Sequence, residues 1–227
     1  MNWNYYKPFF EIFKFQRSKN ILPQTQVAFK ALVDAIVPKT PEFAEKQGAI
    51  QSFGALDSHT EEYIIWSLEH DLSLIIVSKD VHFHLANATA EMLNIAARQL
   101  IYTGGNKKPV NTDIDATEDT FAALELSDRS RAIFLLEQLQ VDLATLPIPF
   151  WNNKGFVLAV TSVLTLLTTT GYYTEWSGYG STRLETPEKR NLEHFPIGWK
   201  QVGYPGPSKG YHAFRGYLFD KFTEQEG

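Results

Sequence analysis

Histidine and carboxylate side chains are the groups best able to do chemistry in this chain, and their spacing satisfies few sites. His82 and His84 flank Phe83. On a strand the two imidazoles share a face and can bind one metal ion, whereas on a helix they diverge. No carboxylate cluster stands at ligand spacing beside them, which favours histidines of a loop. Glu61, Glu62, Glu69 and His70 fall on one predicted helix. A di-iron bundle site needs Glu-x-x-His on two helices. Here Glu69 and His70 are adjacent and no second motif exists, so the pattern is rejected. Gly178-Tyr179-Gly180-Ser181 has the glycines of a phosphate loop without its spacing or its Lys-Ser/Thr pair. There is no G-x-G-x-x-G after a strand and no G-x-S-x-G elbow. The chain has no cysteine, which excludes disulfides, thiolate nucleophiles, cysteine-ligated zinc or iron–sulfur centres, and haem attached through C-x-x-C-H. The sequence therefore nominates no catalytic, cofactor-binding or metal-ligating residue of its own.

The elements that must position any site are helical. The chain has 227 residues, 44% hydrophobic and 21% charged, enough to bury a sizeable core as one large domain with appendages. A net charge of -5 argues against a nucleic-acid partner, because phosphate binding wants a basic surface. Residues Gln24 to Val37 place Ala28, Ala31, Leu32, Ala35 and Ile36 on one stripe, closed by Pro38. Pro41 to Gln47 predicts a short helical turn ended by Gly48. Ser58 and Glu61 stand in capping-box register for a long helix running to about Val77, with Thr60 a rival cap. Its second half, Asp71 to Ser78, reads equally as strand. Ala86 to Tyr102 predicts another helix with Gly104-Gly105 as its stop. Asn106 to Asp119 is polar and reads as an exposed loop. A short helix is expected over Thr120 to Leu124. Ser127 is expected to cap a helix over Asp128 to Val141, with Ile133, Phe134, Leu136 and Leu139 as its core stripe. Pro147-Ile148-Pro149-Phe150-Trp151 reads as a rigid connection. Gly155 to Thr170 is the most apolar run; it is shorter than the ~20 residues of a spanning helix and rich in threonine, so a buried core helix is expected.

Both ends differ in character. Residues 1–22 form an aromatic arm in which Trp3, Tyr6, Phe10 and Phe13 fall at helical spacing, expected to pack on this protein or a partner rather than lie on a membrane. Its positive charges follow the apolar part and no small-residue cleavage site succeeds them, so it does not read as a secretory signal. That predicts a cytoplasmic chain unless a partner carries it out. From Gly171 onward the composition changes to glycines, prolines and aromatic rings. Such ring content is wrong for disorder, and the stretch predicts a long ordered loop of turns, neither helix nor strand, packed on the helical body.

Three patches carry a resemblance. Gly171-Tyr172-Tyr173, Gly178-Tyr179-Gly180 and Gly198-Trp199-Lys200-Gln201-Val202-Gly203-Tyr204-Pro205-Gly206 resemble the C-terminal signature of gluconate 2-dehydrogenase subunit 3. Phe29 to Pro38 resembles that family's opening helix, and Phe121 to Leu124 followed by Leu126, Ser127 and Arg131 its middle helix. The resemblance spans roughly Phe29 to Tyr204, with gaps. It implies a non-catalytic small subunit that binds and stabilises a large FAD-dependent dehydrogenase of the glucose–methanol–choline type. The flavin would lie in that partner, and a cytochrome c subunit in the same complex would take its electrons. Membrane contact would be indirect. Members of that family often carry a twin-arginine export signal, and no twin-arginine pair is present here.

The expectation is an all-α protein: an irregular helical bundle over residues 23–170 carrying an ordered aromatic loop and tail over 171–227. Interface energetics point to large rings and arginine beside flexible backbone, so Trp176, Tyr179, Arg183, Trp199, Tyr204, Pro205 and Tyr211 are the partner-binding candidates. Two alternatives stay open. The rings can cover this protein's own helices, or the aromatic loop can make the chain a stand-alone carbohydrate-binding or carbohydrate-active protein.

Overall fold

The architecture is all-α. A computed structural model describes residues 21–72, 84–114 and 118–206; among them there is no strand. Eight α-helices are present among these residues: α1 Pro23–Ile36, α2 Pro41–Gln47, α3 Thr60–Ser67, α4 Leu85–Tyr102, α5 Thr120–Ala123, α6 Leu126–Glu137, α7 Lys154–Tyr173 and α8 Ile197–Val202. The reading of 73–78 as helix or strand, the His82-Phe83-His84 step apart from His84, the N-terminal arm and the tail with Tyr211 lie outside the described residues.

Helix α1 begins with Pro23, whose missing N–H costs nothing at a first turn. It buries Ala28, Phe29, Leu32 and Val33 on one face. That face meets α3, α4 and α6, so α1 runs through the middle of the bundle. Helix α4 supplies much of the opposing surface. Its small buried residues include Ala86, Ala90, Ala96 and Ala97, and its large ones include Met92 and Leu93. The alanines let the helices approach closely while the larger side chains fill the space between. Helix α4 stops where Gly104 N–H bonds Ile101 O at 2.9 Å and Gly105 N–H bonds Leu100 O at 2.8 Å, as the paired glycines predict.

Two buried polar groups fix the α4–α6 region. Asn94, 1% exposed, donates to Glu118 O at 3.0 Å and accepts from Phe121 N–H at 2.9 Å. It thereby anchors the short α5. Asp128 is fully buried in the first turn of α6. Its carboxylate accepts from Lys107 N–H at 3.0 Å, Lys108 N–H at 2.9 Å and Arg131 Nη1 at 3.3 Å. The loop after α4 is thus tied to the start of α6. Arg129 completes the tie to α1, reaching Asp34 Oδ2 at 3.0 Å and Ala122 O at 2.8 Å.

Several boundaries differ from expectation. Helix α6 starts at Leu126 after Glu125, with no side-chain cap, so Ser127 is not its cap. It ends at Glu137, and Phe134 points outward at 53% exposure instead of joining the core stripe. Helix α7 runs through Gly171 to Tyr173, three residues into the stretch expected to be loop. It packs against α3 and α6 and buries Val157, Val160, Thr161, Leu164, Thr168 and Tyr172. Its opposite side is bare: Leu158 and Leu166 are exposed. The expectation of a buried core helix therefore holds for one face only. Among the described residues α7 is the one helix long and apolar enough to cross a membrane by length and composition, with 39% of that window buried inside the fold.

The stretch after α7 is mostly turns, but not wholly. Trp176–Thr182 and Pro187–Lys189 are 3₁₀ turns, and α8 is a true helical segment between Pro196 and Gly203. Glycine here serves close packing. A Cβ on Gly198 would lie 2.3 Å from Tyr172 O, so only glycine lets α8 cross the end of α7. A Cβ on Gly171 would meet the Tyr63 ring at 2.4 Å. Gln201 then locks α8 to the Ala49–Ser52 turn: its Nε2 donates to Ile50 O at 2.9 Å, and Gln51 Nε2 donates to Gln201 O at 2.9 Å. The buried Tyr172 hydroxyl lies 2.7 Å from Phe53 O and 2.5 Å from Gln201 Oε1; burial pushes its pKa up to about 12.

Candidate functional site

The start of α3 carries the chemistry. Before it, Ala55–Ser58 forms a 3₁₀ turn, and Ser58 Oγ bonds Ala55 O and the Thr60 hydroxyl at 2.8 and 2.7 Å. That hydroxyl is therefore engaged, and no side chain caps α3. The expected capping box of Ser58 and Glu61 does not form. His59 occupies the cap position in the left-handed region, at φ 53 and ψ 39, a conformation uncommon for a residue with a side chain. The Trp176 indole N–H holds it there, donating to His59 O at 2.9 Å. Glu61, freed from capping, turns inward. It is 4% exposed, and its Oε2 has no hydrogen-bond partner.

His59, Glu61 and Glu62 share one wall of a cavity of about 610 Å³. One ligand atom from each lies within 4.8 Å of the others. Further along α3, Ile65 and Trp66 line the same cavity, followed by Glu69 and His70 in the π-helical turn Leu68–Leu72. The His70 ring stacks on Trp66 with centroids 4.8 Å apart, and its Nδ1–H donates to Trp66 O at 2.8 Å. Glu69 accepts from Ala86 N–H at 2.8 Å and pairs with His84 Nδ1 at 2.8 Å, which joins α3 to the start of α4. Lys30 from α1 and Leu184 to Thr186 with Lys189 form other sides.

The electrostatics follow from burial. Removal from water pushes the Glu61 carboxyl up from the usual range, since nothing nearby fully compensates its charge. Burial, helped by the Arg183 cation, holds the His59 imidazole below its ordinary value. At neutral pH His59 is thus neutral and has a ring nitrogen able to accept. Arg183 Nε bonds Glu62 Oε2 at 3.0 Å. Arg190 lies over Trp66 at 4.4 Å and over Trp176 at 5.0 Å, and burial lowers its pKa.

The partner-binding candidates fall in two groups. Trp176 and Arg183 bond the cavity residues His59 and Glu62, and Tyr179 lies one turn after Trp176. Trp176 is 2% exposed and meets Tyr63 edge-on at 5.2 Å. Tyr179 is half-buried and donates to Glu175 Oε1 at 3.0 Å. Trp199, Tyr204 and Pro205 lie on and after α8. Trp199 is buried between Phe195 and Tyr204, at 5.6 and 5.0 Å, while Tyr204 and Pro205 are exposed. Tyr211 lies outside the described residues. Trp176 is thus bound to the residue that precedes α3, and Trp199 is packed among the rings of its own segment.

Of the His59, Glu61 and Glu62 cluster, His59 is the member that sequence reasoning passes over. Its one local signal is the His-x-Glu-Glu spacing at a helix start, which places an imidazole beside two carboxylates. Comparison with known protein families, curated proteins and solved structures gives no match to this chain.

Proposed function

We propose that this chain is a non-catalytic small subunit that docks on a large FAD-dependent dehydrogenase of the glucose–methanol–choline type, in the manner of gluconate 2-dehydrogenase subunit 3. The observation that carries the docking role is the bare side of α7. After Lys154 the helix has no charged residue as far as Tyr173. Leu158, Leu166 and Tyr173 are 38%, 61% and 47% exposed along it. Ile148 and Trp151, just before its start, are exposed at 70% and 59%. At the other end α8 packs beside Tyr172–Tyr173 and adds exposed Val202 and Tyr204. Scattered apolar residues need no explanation, but a charge-free helix side flanked by exposed rings has the composition of an interface core. The dehydrogenase identity of the partner rests on the Gly-Trp-x-x-x-Gly-Tyr-Pro-Gly resemblance, and the flavin and reacting groups belong to that partner.

The test is purification of the tagged full chain from its native host, followed by the flavin absorbance of whatever accompanies it. A stoichiometric large protein with bound FAD is expected, and its yield should fall at least tenfold with Leu166→Glu. Recovery of the chain without a flavoprotein overturns the proposal.

A further inference from the structure

We propose that His59, Glu61 and Glu62 form a binding site for one divalent transition-metal ion at the wall of the α3 cavity. The site is independent of the docking role and rests on two observations. One ligand atom from each of the three side chains lies within 4.8 Å of the others. Separately, Glu61 is only 4% exposed yet leaves Oε2 without a partner. A buried carboxylate oxygen with no donor is costly unless something cationic completes it.

The donor set selects the ion. One imidazole and two carboxylates suit Mn²⁺, Fe²⁺ or Zn²⁺, whereas Mg²⁺ and Ca²⁺ prefer oxygen alone. Tetrahedral ligand bonds of about 2.0–2.2 Å place donor atoms roughly 3.3–3.6 Å apart. From the present spacing, within 4.8 Å, rotation of the three side chains must close the donor set by about 1 Å on binding. The surroundings fit the role. Arg183 holds Glu62 Oε2 at 3.0 Å and leaves the second oxygen available; ligating carboxylates are commonly oriented by such outer partners. Trp176 orients His59 through its carbonyl. The cavity beside the three groups leaves room for waters or a small oxygen-bearing ligand to fill the remaining coordination positions. The cations facing the site are Arg183 and Lys30; Arg183 is committed to Glu62, and Lys30 also lines the cavity.

The experiment uses the full chain stripped with chelator and titrated with Mn²⁺, Fe²⁺ under anaerobic conditions, and Zn²⁺, in equilibrium dialysis with elemental analysis. One equivalent of at least one ion should bind saturably. Glu61→Gln and His59→Gln should each weaken it at least tenfold, while Glu91→Gln on the exposed side of α4 leaves it unchanged. Far-ultraviolet circular dichroism establishes that each variant is folded. Co²⁺ provides a readout that a merely structural role would not move: its visible ligand-field bands should change in His59→Gln. Absence of saturable one-to-one uptake, or wild-type affinity in either site variant, overturns the assignment.

Discussion

Asp128 and Glu61 are both buried carboxylates near helix starts, and they have opposite fates. Asp128 accepts two backbone N–H groups and Arg131. Burial alone would raise its pKa, but those donors outweigh burial and hold it below the usual carboxylate range. Glu61 has a similarly dry position and one oxygen with nothing to accept from, so its pKa is raised by burial. The Asp128 region is complete in itself and knits loop, α5 and α6 together. The Glu61 region is incomplete in itself and opens on a cavity. Satisfied burial marks a structural tie; unsatisfied burial beside a cavity marks a place for a ligand.

Four substitutions probe this contrast. Asp128→Ala removes the buried carboxylate that accepts from Lys107 N–H, Lys108 N–H and Arg131 and should cost about 3 kcal/mol in denaturant unfolding; a loss under about 1 kcal/mol would make Asp128 ordinary. Trp176→Phe removes the bond to His59 O and part of a buried ring, and should cost about 2 kcal/mol. It should also alter the cavity while leaving amide exchange at Lys107 and Lys108 unchanged. Glu61→Gln in chelator-treated protein should change stability by about 1 kcal/mol or less, in the upward direction at pH 7. Arg98→Ala, which removes an exposed pair with Glu91, should stay within about 0.5 kcal/mol.

The two carboxylates also predict opposite pH responses. The depressed folded pKa of Asp128 gives stability that is present above its unfolded value and lost as acid titrates it through the folded value. The raised folded pKa of Glu61 works the other way: its contribution is favourable only while the group is protonated and declines as pH rises from its unfolded value through its folded one. Stability profiles of wild type and Glu61→Gln should therefore converge toward low pH and separate as pH rises.

Much of the fold is legible in the sequence because its helices are periodic and punctuated. Pro38 and Gly104-Gly105 end α1 and α4 within about a residue of where the pattern predicts. Expectation and structure part where a local signal has a different physical cause. Gly171 is expected to open the loop, yet the helix continues through it to Tyr173: Thr161 and Thr168 bond back to the carbonyls of Val157 and Leu164 at 2.8 Å, and Gly171 is small to admit Tyr63. Ser58 and Glu61 have capping-box spacing, but the preceding 3₁₀ turn uses the Ser58 hydroxyl first. The cavity is illegible for a simpler reason: Glu62 and its partner Arg183 are 121 positions apart, so no local spacing brings them together. Trp176 and Trp199 stand out in the sequence as partner-binding candidates; both are buried, Trp176 bonding His59 O and Trp199 packing against Phe195 and Tyr204.

The functional proposal turns on the docking side of α7. Hydrogen exchange of the full chain, alone and in complex with the co-purified flavoprotein, probes that surface residue by residue. Peptides covering 154–173 should gain more protection on binding than any from α4 or α6. Unchanged exchange over α7 in a formed complex would refute the docking role assigned to it.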